Sequence, residues 1–420
     1  MPRSLPVVAL AVVALALSAA AMSACTAGGD GDDDGDLLGA AATSSTSSVP
    51  TAPSSVPVAP PAALPAGANL YRPPAHLQPG PPGTLIWYDE GPSIGGARAW
   101  RTLSRTTGAD GATTWSTGRV FRPEGPAPSG GFPVVVWAHG TAGLADACAP
   151  SRTAGTVPGV TNLLQAGFVV VAPDGAGLGP PGPAAYLVGE REGHEVLDAA
   201  RAASQVPGVD AGHRVALWGY SSGGQAVLFA AQQAADYAPD LDLVGTAAVA
   251  PVSDVARFAG RSAAFPLTFG YAFLTFGAWG PVYGADPSTI FAPGAMNQLP
   301  LLDDECATVI ATHFALTPIE ELHAADPLTT PPWPGLMAEN QAGQVPTSGP
   351  VLLVQGQADP IVAPASTDAL GRRLCELGVA VELRRIPGQA HEVVLPSAPS
   401  VVDWLAQRAA GAPPRSTCGR

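Results

Sequence analysis

Short apolar runs alternate with helix-like segments over most of this chain. Each run has the length of a strand buried on both faces, and the segments between the runs are long enough for helices. This alternation is typical of a mostly parallel sheet covered by helices on both faces, so it predicts an α/β fold. The predicted strands are 132–138, 168–172, 214–218, 243–250, 351–355 and 381–386, the predicted helices are 189–203, 222–237, 365–377 and 400–409, and a hairpin is predicted over 97–106 and 112–122.

Residues 251–349 interrupt this alternation, because they are rich in proline and offer no clear strand. A membrane-spanning helix is one interpretation of the uncharged, aromatic-rich stretch within them, but Pro266 and Pro281 favour a broken helical insert. We expect the insert to lie as a cap over the carboxyl edge of the sheet. The predicted core of the fold then comes from two ranges, 67–250 and 350–420.

The first 24 residues have the features of a secretion signal. Arg3 precedes an apolar run, which ends in small residues. Cys25 follows Ser23 and Ala24, in the small-small-Cys pattern of bacterial lipoprotein signals, and this predicts a lipid anchor on Cys25 at the outer face of a membrane. Plain secretion with an incidental cysteine is the alternative. Residues 25–66 offer almost nothing to bury and are predicted to be a disordered tether.

The charge and the remaining motifs exclude several classes of function. The chain has a formal net charge of −14 and no basic patch, so we expect no nucleic-acid partner. Residues 175–179 lack the lysine and the glycine spacing of a phosphate loop, and neither His-Glu pair, at His194 or at His391, has the second histidine of a zinc helix. We therefore expect no cofactor and no metal. Three acidic residues within 189–203 are predicted to form a solvated helix face: Glu190, Glu192 and Glu195.

Residues 219–223, Gly-Tyr-Ser-Ser-Gly, lie between a predicted strand and a predicted helix. They fit the GxSxG pattern of a nucleophile elbow, a tight turn that needs small residues two places before and after the serine. Ser221 has a glycine at both places, whereas Ser222 does not. Ser221 is therefore the predicted nucleophile, and the backbone N–H of Ser222, at the start of the helix, is predicted to stabilise an oxyanion.

A serine nucleophile needs a base and an acid that orients the base. With a nucleophile elbow, the order along the chain is serine, acid, histidine. His391 follows the last predicted strand and is the predicted base. Asp359 follows the strand over 351–355 and is the predicted acid, with Asp254 as the alternative.

The loop after the strand over 132–138 begins with His139 and Gly140. Loops at this place in such folds supply a second oxyanion N–H. Thr141 is the predicted donor and Ala142 the alternative. His139 is predicted to have a structural role.

Several segments in order along the chain resemble the secretory lipase family of fungi and actinobacteria. They are 139–151, 172–179, 186–202 and 219–245, together with the loops of Asp359 and His391. The resemblance implies an α/β-hydrolase fold with a helical cap, a Ser-Asp-His triad, no cofactor, and activity on carboxylic esters including lipids. Some members of the family have an acidic residue where Thr141 or Ala142 stands here.

Four cysteines follow Cys25: Cys148, Cys306, Cys375 and Cys418. In an exported chain they predict two disulfides, and the sequence alone does not rank the three possible connectivities. Cys148 stands where the family has a disulfide cysteine, so the resemblance suggests Cys148–Cys306 and leaves Cys375–Cys418 by elimination.

The predicted function is a serine esterase or lipase that forms an acyl-enzyme, acts on an ester or lipid, and is a monomer. An acyltransferase or a peptidase would use the same triad. A surface lipoprotein that binds partners on an inactive hydrolase scaffold is a third hypothesis, and the correctly ordered triad argues against it. The aromatic residues between Phe265 and Tyr283 have two interpretations. They either pack the insert on the sheet or line a channel for an acyl chain above Ser221.

Overall fold

The computed structural model describes residues 60–74, 80–153 and 157–419. The predicted secretion signal, the predicted lipid-bearing Cys25 and most of the predicted tether lie outside the described residues.

A mixed sheet of strands β1 to β10 forms the centre of the described part of the chain, in the order β1-β2-β3-β4-β6-β5-β7-β8-β9-β10. Strands β5 to β10 run parallel to one another. Strands β2, β3 and β4 pair antiparallel at one side of the sheet, and β4 joins this part to β6 by a further antiparallel pairing. The predicted α/β fold and the predicted hairpin are therefore confirmed. The strands are β1 Ala62–Ala63, β2 Leu85–Ile94, β3 Ala97–Thr107, β4 Thr113–Arg122, β5 Phe132–Ala138, β6 Val169–Pro173, β7 Ala211–Tyr220, β8 Asp242–Val249, β9 Val351–Gly356 and β10 Val381–Ile386.

Helices cover both faces of the sheet, because side chains along each buried strand alternate between the faces. In β5, Val134 and Val136 pack in one hydrophobic cluster, with residues of the helices over 189–203, 222–237 and 364–376. Val135 and Trp137 pack in another, with residues of the helices over 160–165 and 394–409. The helices are α1 Val160–Gln165, α2 Gly189–Ala203, α3 Ser222–Tyr237, α4 Val255–Ala264, α5 Pro266–Tyr283, α6 Pro293–Met296, α7 Leu301–Asp304, α8 Ala307–His313, α9 Trp333–Glu339, α10 Pro364–Glu376 and α11 Val394–Ala409.

The insert between β8 and β9 contains helices α4 to α9. Among the described residues, no helix is both long and apolar enough to cross a membrane. Phe269 and Phe273 of α5 are fully buried and pack against Phe291 and Phe314 of the same insert. These two aromatic side chains therefore lie in the core of the insert itself, whereas the sequence suggests either packing of the insert on the sheet or a channel above Ser221.

The prediction that three acidic residues of α2 form a solvated face is wrong for Glu195, and Glu192 is half-buried. Glu190 is exposed, but Glu195 is only 4% exposed. The Glu195 carboxylate accepts hydrogen bonds from the Ser116 hydroxyl and from the backbone N–H of Ala176, at 2.7 Å for the latter. Glu192 accepts the N–H of Leu187 at 3.2 Å. Burial is possible because these donors replace part of the lost hydration.

Candidate active site

Ser221 lies in a strained turn between β7 and α3. Its backbone has φ 56° and ψ −118°, a conformation that costs energy for a residue with a Cβ. A Cβ on Gly219 would lie 2.0 Å from the carbonyl oxygen of Gly223, and a Cβ on Gly223 would lie 2.1 Å from that of Ala138. The turn therefore requires both glycines, for the reason that the sequence pattern predicts.

The structure brings Ser221, His391 and Asp359 together. Nε2 of His391 lies 3.0 Å from Oγ of Ser221, and Nδ1 lies 2.8 Å from Oδ2 of Asp359. All three side chains are buried. The alternative acid, Asp254, instead caps α4, where its carboxylate accepts the N–H of Arg257 at 3.0 Å.

The loops of Asp359 and His391 meet because β9 and β10 are parallel neighbours, so both loops leave the same edge of the sheet. The approach is close, since a Cβ on Gly356 would lie 2.3 Å from the carbonyl oxygen of Ala390. Oδ1 of Asp359 accepts the N–H groups of Ile361 and Val362, each at 2.9 Å. The carboxylate is thus held by its own loop on one side and faces His391 on the other.

The loop over 139–143 lies beside the start of α3. Oγ1 of Thr141 is 2.9 Å from the hydroxyl of Tyr186 and 3.4 Å from Oγ of Ser222. The ring nitrogens of His139 lie 2.6 Å from the carbonyl oxygen of Gly140 and 2.7 Å from that of Asp174. His139 therefore joins this loop to the end of β6, which agrees with a structural role, and Thr141 lies next to the residue that follows Ser221.

The insert is tied directly to the loop over 139–143. The N–H of Ala307 donates to the carbonyl oxygen of Ala142 at 2.9 Å, and Gly143 forms an isolated β-bridge with Cys306. Cys306 is also disulfide-bonded to Cys148, as the resemblance suggests. The second disulfide joins Cys375 of α10 to Cys418, so both expected pairings are present.

The same loop also lines a cavity. Thr141, Tyr186 and Ser222 line it, together with Glu192 and Glu195 of α2. Desolvation by burial raises the pKa of both carboxyl groups, and for Glu192 the pKa rises well above its ordinary value. Carboxyl groups and hydroxyls therefore provide the polar part of this wall. In the ranges that the structure describes, no group of three or more His, Cys, Asp or Glu residues could hold a metal ion.

Comparisons of the sequence with known proteins find lipases. The family model described as secretory lipase matches residues 153–276. A Mycobacterium tuberculosis protein named a probable inactive lipase is 29% identical over 83% of this chain and 83% of its own length. Lipase A of Arthroderma benhamiae is 27% identical over 60% of this chain and 55% of its own length.

Solved structures show the same architecture. Candida antarctica lipase A in its closed state superposes with a TM-score of 0.72 at 20% identity, over 85% of this chain and 89% of that one. The rice cell wall degrading esterase LipA from Xanthomonas oryzae gives a TM-score of 0.68 at 20% identity, over 79% of this chain and 99% of that one.

Proposed function

Because this chain is a relative of the secretory lipases and has the α/β-hydrolase fold, we propose that it is a carboxylic ester hydrolase that uses Ser221, His391 and Asp359. The main support for the proposal is that His391 contacts both other residues. Its Nδ1 lies 2.8 Å from Oδ2 of Asp359, and its Nε2 lies 3.0 Å from Oγ of Ser221. These distances lie within the range of a base that takes a proton from a nucleophile and an acid that orients the base.

In the first half of the reaction, Oγ of Ser221 attacks the carbonyl carbon of the ester while Nε2 of His391 takes the hydroxyl proton. The negative charge of Asp359 stabilises the imidazolium that forms. The tetrahedral intermediate then collapses, the bond to the alcohol oxygen breaks, and His391 returns the proton to the leaving alcohol. The acyl group remains as an ester of Ser221.

In the second half, water replaces the alcohol. His391 takes a proton from the water as the water oxygen attacks the acyl carbon. The bond between the acyl carbon and Oγ of Ser221 then breaks, and His391 returns the proton to Oγ. The carboxylic acid leaves and the enzyme is regenerated, so no cofactor is consumed.

The charge on the carbonyl oxygen is stabilised by two backbone N–H groups. Ser222 donates one from the first residue of α3, where the helix dipole also favours negative charge. We assign the second to Thr141. The neighbouring contacts of His139, Tyr186 and the Cys148–Cys306 disulfide support this assignment, because they fix the loop beside α3.

A relative named an inactive lipase makes a non-catalytic scaffold the main alternative for this chain. Two features of this chain favour activity. The three side chains make their contacts in the order that the reaction needs, and the backbone of Ser221 adopts a strained conformation of the kind that clusters at active sites.

Hydrolysis of p-nitrophenyl esters from acetate to palmitate by the purified chain tests the proposal. We expect turnover with an acid product, and an optimum acyl length that separates a lipase from a short-chain esterase. The same assay with added alcohol and with a peptide amide covers the two related activities. Acyl transfer to the alcohol in preference to water would assign an acyltransferase, cleavage of the amide would assign a peptidase, and no turnover of any substrate would contradict the proposal.

We also propose that the chain is exported, that Cys25 carries a lipid anchor and that the folded part is a monomer. Export agrees with the names of its relatives, which include a secreted triacylglycerol lipase of Malassezia globosa. The proposed substrate is an ester or a lipid, and no nucleic-acid partner is proposed.

A further inference from the structure

Gln355, the next-to-last residue of β9, is buried directly behind the proposed catalytic acid. Its side-chain Nε2 donates to Oδ2 of Asp359 at 2.9 Å. Oδ2 is the same oxygen that faces Nδ1 of His391. The amide of Gln355 therefore touches the carboxylate at the atom that orients the base, although Gln355 itself contacts neither Ser221 nor His391 in the hydrogen bonds described.

The orientation of this amide is fixed by Thr367 of α10. The Thr367 hydroxyl donates to Oε1 of Gln355 at 2.6 Å, and Thr367 is fully buried. Since Oε1 is occupied by a donor, Nε2 is directed to acceptors, which are Asp359 and the carbonyl oxygens of Gly356 and Val362. A glutamine amide flipped by half a turn would place its oxygen against the carboxylate and lose these contacts.

We propose that Gln355, held by Thr367, is a positioning residue for Asp359 in the ester hydrolysis proposed above. The inference rests on that function. The Asp359 carboxylate has four donors around it: two backbone N–H groups on Oδ1, and Gln355 with His391 on Oδ2. With all four present the carboxylate has a single orientation, and Nδ1–H of His391 is aligned with Oδ2.

Loss of the Gln355 donor removes one of the two contacts that hold Oδ2. The carboxylate is then free to turn about its Oδ1 contacts, and the imidazole that it orients turns with it. This change affects the steps in which His391 transfers a proton, and it leaves the surface that binds the ester unchanged. The effect should therefore appear in kcat and not in KM.

Three variants separate positioning from packing. Gln355→Met keeps the length of the side chain and removes the amide. Thr367→Val keeps the volume and removes the hydroxyl, whereas Thr367→Ser keeps the hydroxyl. A hydrogen bond to a charged group has a free energy that corresponds to a factor of about ten or more in a rate constant. We therefore expect kcat to fall about tenfold in Gln355→Met. We expect a smaller fall in Thr367→Val, recovery to within about twofold in Thr367→Ser, and KM within about twofold of wild type in all three.

Two matched controls come from polar residues outside the site, one buried and one half-buried. Thr246 of β8 is fully buried and its hydroxyl has no partner in the described part of the chain, so Thr246→Val repeats the threonine change without a contact to lose. Gln205 uses its amide to join the turn at Gly83 to α2, so Gln205→Met repeats the glutamine change elsewhere. Both controls should keep the wild-type kcat.

Steady-state kinetics and thermal unfolding of the six proteins decide the inference. An active wild type with unchanged kcat in Gln355→Met and Thr367→Val would overturn the positioning role alone. A fall in kcat that Thr367→Ser does not recover would also overturn it, because packing would then explain the loss. If Gln355→Met does not fold, the comparison of Thr367→Val with Thr367→Ser still tests the positioning role. An inactive wild type would contradict the proposed function, and the positioning role with it.

Discussion

Ser221 and Ser222 are adjacent serines with different proposed roles. Oγ of Ser221 faces His391, whereas Oγ of Ser222 faces the Thr141 hydroxyl, and only the backbone N–H of Ser222 is assigned to the reaction. Ser221→Ala should therefore lower kcat/KM for an ester by several orders of magnitude. Ser222→Ala keeps the backbone donor and should lower it only a few-fold. Loss of activity in Ser222→Ala with retention in Ser221→Ala would reverse the assignment of the nucleophile.

The site residues could be predicted from the sequence where a local pattern is sufficient. Ser221 is defined by its two glycines, and the order of acid and histidine selects Asp359 and His391. Contacts that depend on distant segments could not be predicted. Tyr186 reaches Thr141 only because two loops pack together, and Gln355 is indistinguishable in sequence from any other polar residue at the end of a strand.

The elements of the sheet follow from their apolar runs. Helices α2 and α3 have the predicted bounds, because each is flanked by turn residues and carries an apolar face. The sequence does not predict strand β2, because most of its residues are partly or fully exposed and Gly91 and Pro92 interrupt any alternation. The sequence predicts the wrong environment for Glu195, because the donors that allow its burial come from β4 and from the loop after β6.

Helix α2 should make the stability of the protein depend on pH. Burial raises the pKa of Asp198 from 3.8 to about 7. Hydrogen bonds from Thr106 and Tyr237 lower this pKa, but burial has the larger effect. Between about pH 4 and pH 7, the folded state binds a proton that the unfolded state has lost. The contribution of Asp198 to the free energy of unfolding therefore falls as the pH rises through this range. Tm should thus be higher near pH 5 than near pH 8, and Asp198→Asn should reduce the difference.

The control for this change is Asp236→Asn, at an exposed position on α3. It should leave the pH dependence of Tm as in the wild type. Equal slopes of Tm against pH in the wild type and in Asp198→Asn would show that Asp198 is charged in the folded state, contrary to this account.

Helix α5 provides the core of the insert. Phe269 is fully buried among Phe273, Phe291 and Phe314, so Phe269→Ala should lower the free energy of unfolding by about 3–5 kcal/mol. Phe265, which is 57% exposed at the start of the same helix, is the matched control, and Phe265→Ala should have little effect. Unchanged stability together with an altered acyl-length preference in Phe269→Ala would instead support the channel interpretation.

At the scale of the whole molecule, the insert and the sheet are joined beside the proposed oxyanion site. The hydrogen bond from Ala307 reaches Ala142, the residue after Thr141, and the Cys148–Cys306 disulfide joins the insert to the segment that follows this loop. A movement of α8 would therefore change the position of a proposed catalytic donor. This connection could not be predicted from spacing, since 158 residues separate the two cysteines.

The anchor is a property of the whole chain and is tested in the cell. If Cys25 carries a lipid, Cys25→Ala should release the protein into the medium or leave it unprocessed, and the wild type should remain in the membrane fraction. Mass spectrometry of the mature N-terminal peptide identifies the modification. A wild type found wholly in the medium with an unmodified Cys25 would contradict the proposed anchor and leave plain secretion.

The central claim is that Ser221, activated by His391, is the nucleophile of an ester hydrolase. Reaction of the purified wild type with a fluorophosphonate, followed by peptide mapping, tests this claim most directly, because the reagent bonds covalently to an activated serine. We predict one phosphonyl group per chain, attached to Ser221, with no labelling in Ser221→Ala and strongly slowed labelling in His391→Ala. An unlabelled wild type, or a label on a different residue, would contradict the account.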